Sequence, residues 1–131
     1  MPQASAEVHY RLGQKLQLLA QDGVLILASG GLTHNLGDIV ADAVDGEALP
    51  HVAEFRDWFA AALARRDLPA LLAWRRQAPH AARAHPTPEH LLPLYVALGA
   101  AGENAAAKID FRDYQLGALA LDAVVFRTAP A

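Results

Sequence analysis

Cysteine is absent from the chain. That excludes a disulfide framework, a thiolate metal site and a cysteine nucleophile. The absence suits a reduced cytosol, and a cytoplasmic location is the expectation. Charge is sparse and nearly balanced, with 11 Lys and Arg against 14 Asp and Glu for a net −3. Such a balance excludes a generic electrostatic binder of nucleic acid or of an anionic membrane. Long apolar runs are missing as well. The strongest, residues 24–28 and 116–126, fall well short of the ~20 residues a membrane helix needs. Residues 1–20 have neither a basic start nor an apolar stretch, so no signal peptide is expected. Several motifs are also lacking: a Walker loop, a Gly-x-Gly-x-x-Gly fingerprint, a Gly-x-Ser-x-Gly elbow and a His-Glu-x-x-His zinc helix.

What is present is a 131-residue chain with 53% hydrophobic residues, enough for one domain, 1–131, with a real core. Val8, Leu12, Leu16 and Leu19 recur at helical spacing and predict an amphipathic helix over 5–22, with Ser5 as N-cap and Gly23 just past its end. Val24-Leu25-Ile26-Leu27-Ala28 reads as a buried strand. The glycine-rich turn Ser29-Gly30-Gly31-Leu32-Thr33-His34-Asn35-Leu36-Gly37 follows it.

Residues 38–50 read as a surface connection. A helix is predicted over 51–66, with Val52, Phe55, Phe59, Ala62 and Leu63 on one face. Another runs over 67–77, capped by Asp67 with Pro69 in its first turn. A proline-rich loop spans 78–88. A helix over 89–98 must hold Pro93 in its first turn or kink there. Residues 99–108 read as small and flexible. Residues 111–128 read as strand, turn, strand, broken near Gly117. The order implies an α/β domain, a mostly parallel or mixed sheet flanked by helices. A mean hydropathy of +0.14 suggests that a partner covers some apolar surface.

Six histidines are the main chemical feature. His9, His51 and His80 read as surface or capping residues. His34 sits where a strand end meets a glycine-rich turn, the place where open α/β sheets bind ligands. Glycines there let the backbone bend sharply and approach a ligand. Imidazole is a good ligand for iron or zinc. A histidine bonding its own turn is the simpler alternative. In His85-Pro86-Thr87-Pro88-Glu89-His90 the prolines hold the loop extended, Thr87 can cap the next helix and Glu89 suits its dipole. His90 is either a packed residue or a group facing a cleft as acid, base or ligand. Arg65, Arg66, Arg75, Arg76 and Arg83 read as solvated helix surface.

Together these segments resemble a family. Val24 through Leu36 is similar to its "strand, Ser-Gly, Thr-His-Asn-Leu" motif, and Phe55-Arg56-Asp57-Trp58 to its Phe-x-x-Trp helix. Ala84-His85-Pro86-Thr87-Pro88-Glu89-His90-Leu91-Leu92-Pro93-Leu94, with Ala97-Leu98-Gly99-Ala100, resembles its most specific signature. Leu116 through Phe126 is similar to its closing strand. The family is the class III extradiol ring-cleavage dioxygenases of the 4,5-DOPA dioxygenase type, relatives of the protocatechuate 4,5-dioxygenase beta subunit.

The resemblance covers the C-terminal half of that catalytic domain, and Gln3-Ala4-Ser5 is similar to an internal segment of it. It implies ring-opening oxygenation of a small aromatic diol by dioxygen at a non-haem Fe(II), a site that Zn(II) can also occupy. His34 would match a metal ligand. His90 would match the further active-site histidine, as acid/base group or auxiliary ligand. Thr33 and Asn35 would shape the edge of the substrate pocket and Glu89 would orient a ligand there, although all three are more often turn and cap residues. The remaining ligands would come from a complementary N-terminal-half chain or from a second copy in a homo-oligomer. Alternatively the chain is an inactive fragment, or a binding or regulatory module of the same fold.

Overall fold

Ser5 starts the first helix. A computed structural model of the chain describes residues 5–128, and in it the Ser5 hydroxyl accepts a hydrogen bond from Val8 N at 3.3 Å. Helix α1 (Ala6–Gln21) closes with Gly23 at φ 84°, a left-handed position that favours glycine. Both ends match the sequence reading, but the buried face does not. Ala6, Tyr10 and Gly13 are buried, whereas Val8, Leu12 and Leu19 from the predicted stripe are exposed.

Glycine accounts for the difference. At Gly13, α1 meets α6 (Leu92–Ala101) backbone against backbone. A Cβ on Gly13 would lie 2.1 Å from Val96 O, and one on Gly99 would lie 2.1 Å from Tyr10 O. The helices can approach this closely only along the side that carries no Cβ. The flexible segment expected over 99–108 is therefore corrected. Gly99, Ala100 and Ala101 are buried in the last turn of α6, and β1 (Ala106–Phe111) begins soon after.

Helix α2 (Pro50–Arg65) buries Val52, Phe55, Phe59, Ala62 and Leu63, the face expected from their spacing. Asp67 caps α3 (Leu68–Leu72), accepting from Ala70 N at 3.1 Å. The single helix expected over 67–77 breaks at Ala73 and resumes as α4 (Trp74–Gln77). The expected loop that follows contains the one-turn helix α5 (Ala81–Ala84). Helix α6 starts three residues later than predicted because Pro93, lacking an N–H, sits in its first turn. Phe55, Phe59, Leu71, Leu91 and Tyr95 form the centre of the core, with the Tyr95 hydroxyl donating to Leu71 O.

The strands form small antiparallel ladders. β1 pairs with β4 (Ala123–Arg127), and β2 (Tyr114–Gln115) turns at Leu116 and Gly117 to pair with β3 (Leu119–Ala120). A parallel bridge joins Ala48 to Gly117. The architecture is α/β, helices packed on sheets, but the ladders of the described residues are antiparallel rather than mostly parallel.

Residues 24–28, expected to be a buried strand, pair with nothing. No backbone group from Leu25 to Gly30 forms a hydrogen bond among the described residues. Leu25 and Leu27 are 83% and 85% exposed. The run has strand composition and shares a groove with β4, but among the described residues no ladder bond joins the two. Among the described residues no helix is long and apolar enough to cross a membrane.

The glycine contact gives a sharp expectation. Gly13→Val and Gly99→Val each force a side chain into opposing backbone and should cost about 3 kcal/mol or more. Thermal unfolding followed by circular dichroism should show the midpoint falling by roughly 10 °C or beyond.

Candidate active site

The site is built where two loops run against each other. Gly31 N donates to His90 O at 2.8 Å, His34 N donates to Ala84 O at 2.9 Å, and the His85 Nε2 proton reaches Leu32 O at 2.7 Å. A Cβ on Gly30 would lie 2.1 Å from His90 O. Neither Gly30 nor Gly31 has a positive φ. Glycine is therefore required for closeness rather than for a sharp bend, and the group that approaches Gly30 is the backbone of the second motif.

This crossing brings His34 and His90 together. Their rings stack with centroids 3.5 Å apart and planes 17° from parallel. His90 lines a cleft of about 340 Å³ together with Leu27, Leu32, Leu91, Leu94 and Phe126. Glu89 Oε1 lies 3.6 Å from His90 Nε2 and accepts a hydrogen bond from the Thr87 hydroxyl at 2.7 Å. That hydrogen bond is the main cause holding the Glu89 carboxyl below its ordinary range. Thr87 was expected to cap a helix; instead it steers Glu89, because the helix starts only at Leu92.

Thr33 and Asn35 lie beside the pair but are engaged elsewhere. The Thr33 hydroxyl is buried, donates to Ala118 O at 2.8 Å and accepts from Ala120 N at 2.8 Å. It fastens the loop to the β2–β3 hairpin. Asn35 Oδ1 accepts from Gly37 N at 3.0 Å, and its Nδ2 donates to Arg83 O at 2.7 Å.

Several residues that hold the site escaped the sequence reading. Asp38, placed in a presumed surface connection, accepts from Arg83 Nε and NH2, both at 3.1 Å, and bonds His51 Nε2 at 3.0 Å. Its carboxyl is held below the ordinary range, first by the hydrogen bond from Arg83. His51 is buried, which corrects its reading as a surface or capping residue. His9 and His80 do fit that reading: His9 Nδ1 bonds Ser5 O, and exposed His80 pairs with Glu54. Arg75 and Arg83 are likewise more than solvated surface. Arg75 donates to the carbonyls of His85 and Pro86.

His85 itself is fully buried, its ring edge-on to Phe55 and Trp74 with both centroids at 5.6 Å. Burial pushes its pKa down to about 4. Its place in a His-Pro run gave no sign of this.

Imidazoles and a carboxylate are donors of the right kind for a non-haem iron or zinc ion. They are too few, since among the described residues no group of three His, Cys, Asp or Glu side chains converges. The described residues by themselves hold no such ion.

The order of the elements and the two crossed loops are shared with known proteins. Residues 1–125 match the family model described as the catalytic LigB subunit of aromatic ring-opening dioxygenase, and the chain belongs to that family. It is 38% identical over 118 residues to the 4,5-DOPA dioxygenase extradiol of Beta vulgaris, covering 90% of this chain and 43% of that protein. Identity is 28% over 115 residues to the Escherichia coli K12 protein of the same description, covering 86% and 42%. The crystal structure of an uncharacterised E. coli K12 protein superposes with a TM-score of 0.79 at 26% identity, over 92% of this chain and 50% of that one. The chain therefore spans less than half the length of the curated relatives it matches.

Burial of neutral His85 sets a pH dependence. Above about pH 6.5, neither the folded nor the unfolded chain protonates this ring, and its contribution is constant. Between about 6.5 and 4 the unfolded chain takes up the proton while the folded chain does not. Stability should decline through that window by roughly 3 kcal/mol, and His85 should add no further loss below it. Urea unfolding at pH 7, 5.5 and 4 measures this, with His85→Gln expected to flatten the decline.

Proposed function

We propose that this domain carries one side of an extradiol dioxygenase site, opening the ring of a catecholic substrate with dioxygen at a non-haem Fe(II). The observation that carries the reading is the stacked His34–His90 pair, with His90 lining an apolar cleft. In this reading His34 is a metal ligand. His90 is the acid/base group or an auxiliary ligand, and Glu89 orients it through the 3.6 Å contact to Nε2. Thr33 and Asn35 shape the edge of the substrate pocket by fixing the turn that carries His34. The leucines and Phe126 of the cleft suit an aromatic ring, and an imidazole nitrogen can receive a hydroxyl proton of the diol. Bound Fe(II) with open positions supplies dioxygen chemistry, whereas Zn(II) in the same nitrogens supplies none of the redox steps.

The missing ligands come, in this reading, from polypeptide equivalent to the unmatched part of the relatives. Exposure of Leu25 and Leu27, beside unpaired backbone from Leu25 to Gly30, supports a strand-bearing partner at that edge. That no third donor converges among the described residues suits a second reading, a binding or regulatory module of the same fold.

Iron loading separates the two. The full chain is charged anaerobically with Fe(II), alone and with a polypeptide spanning the unmatched part of the Beta vulgaris relative. The enzyme reading expects bound iron and catechol ring opening only in the mixture, or in a dimer of the chain if a second copy completes the site. His34→Ala should release the iron. His90→Gln should keep it and slow turnover by about 10²–10⁴-fold. No bound iron in either setting, or variants indistinguishable from the parent, would leave the module reading standing.

A further inference from the structure

We infer that His85 is a positioning residue whose Nε2 proton, given to Leu32 O, sets the geometry of the His34–His90 pair. The inference rests on that pair being the working pair of the site, although its test does not require activity.

The carbonyl of Leu32 can only accept, so His85 must carry its proton on Nε2. Its Nδ1 is then an acceptor, and that atom is buried with no hydrogen-bond partner among the described residues. A ring packed between Phe55 and Trp74 needs no nitrogen for packing. Phenylalanine or leucine would fill the space without an orphaned acceptor, which costs free energy when buried. What the imidazole adds is the single bond to Leu32 O.

That bond has a particular place. It lies between the two backbone links, Gly31 N to His90 O and His34 N to Ala84 O. Leu32 stands two residues before His34, and His85 five residues before His90. Arg75 fixes the other end of the lever, holding the carbonyls of His85 and Pro86. Without the Nε2 proton, Leu32 O would be a buried acceptor without its donor. The loop would turn to satisfy it, carrying His34 off the face of His90.

NMR of the uniformly ¹⁵N-labelled chain tests this directly. In the parent, the His85 ring nitrogens should show the Nε2–H tautomer, with Nδ1 unprotonated at neutral pH. The Hε1 resonances of His34 and His90 should be displaced by each other's ring current. His85→Phe keeps the packing and removes the donor, so both displacements should collapse while the far-ultraviolet circular dichroism is kept. His85→Gln, which restores an N–H donor, should recover at least part of them. An Nδ1–H tautomer in the parent overturns the inference even if His85→Phe fails to fold. So does a folded His85→Phe in which both Hε1 resonances stay in place. Failure of the iron experiment would leave these readouts intact, so the two readings can fail separately.

Discussion

Everything at the candidate site depends on two loops lying closer than side chains allow. Gly30 faces the carbonyl of His90 at a distance that excludes any Cβ. Once the backbones are that close, Gly31 and His34 donate across the gap and His85 bridges its middle. The stack of His34 on His90 follows from the crossing rather than from attraction between the rings. Such a pair is held by geometry that each ring does little to create. The surrounding polar groups serve the same end. Thr33 ties the first loop to the β2–β3 hairpin, and Asp38, Arg83 and Asn35 tie its exit to α5.

A similar device organises the frame. Gly13 and Gly99 let α1 and α6 meet backbone to backbone. Helix α6 in turn follows directly from the loop that carries His90. The two glycine contacts therefore sit at opposite ends of one connected unit. Its centre is the aromatic and leucine core around Phe55, Phe59 and Tyr95. The buried Arg56–Asp122 pair, 2.9 Å long, joins α2 to the start of β4 beside the cleft. Burial pushes the Asp122 carboxyl pKa up against the pull of its partner, so this wall is joined by a charge pair that is costly to desolvate.

Much of this was legible in the sequence, and the failures share a cause. Caps at Ser5 and Asp67 and the buried face of α2 were readable because each depends on residues within one or two turns. His34 and His90 were singled out from motif resemblance, and the fold stacks their rings. The exposed stripe of α1 was misread because hydrophobic spacing says which residues are apolar, not which face a distant glycine can reach. Residues 24–28 have strand composition, but a strand also needs a neighbour, which composition cannot supply. His51, Asp38 and His85 were missed or discounted because long-range contacts decide their roles: His85 with Leu32, His51 with Asp38, Arg83 with Asp38. No local spacing encodes such pairings. The glycine turn was read as allowing a sharp bend and close approach to a ligand; close approach is the constraint at Gly30, and what it approaches is the backbone of the second loop.

The contact between α1 and α6 also carries a kinetic consequence. Its two glycines lie far apart in the sequence, at positions 13 and 99, so α1 lacks its main packing partner until α6 exists. During synthesis α1 must wait, and isolated helices of this length are only marginally stable in water. Closing so long a loop slows folding, because the entropy is lost before the contact forms. Meanwhile the leucines of α1 and of the following run stand open to solvent. Leu12, Leu19, Leu25 and Leu27 stay exposed in the finished fold as well, so the wait of α1 for α6 adds to an apolar surface that folding does not remove.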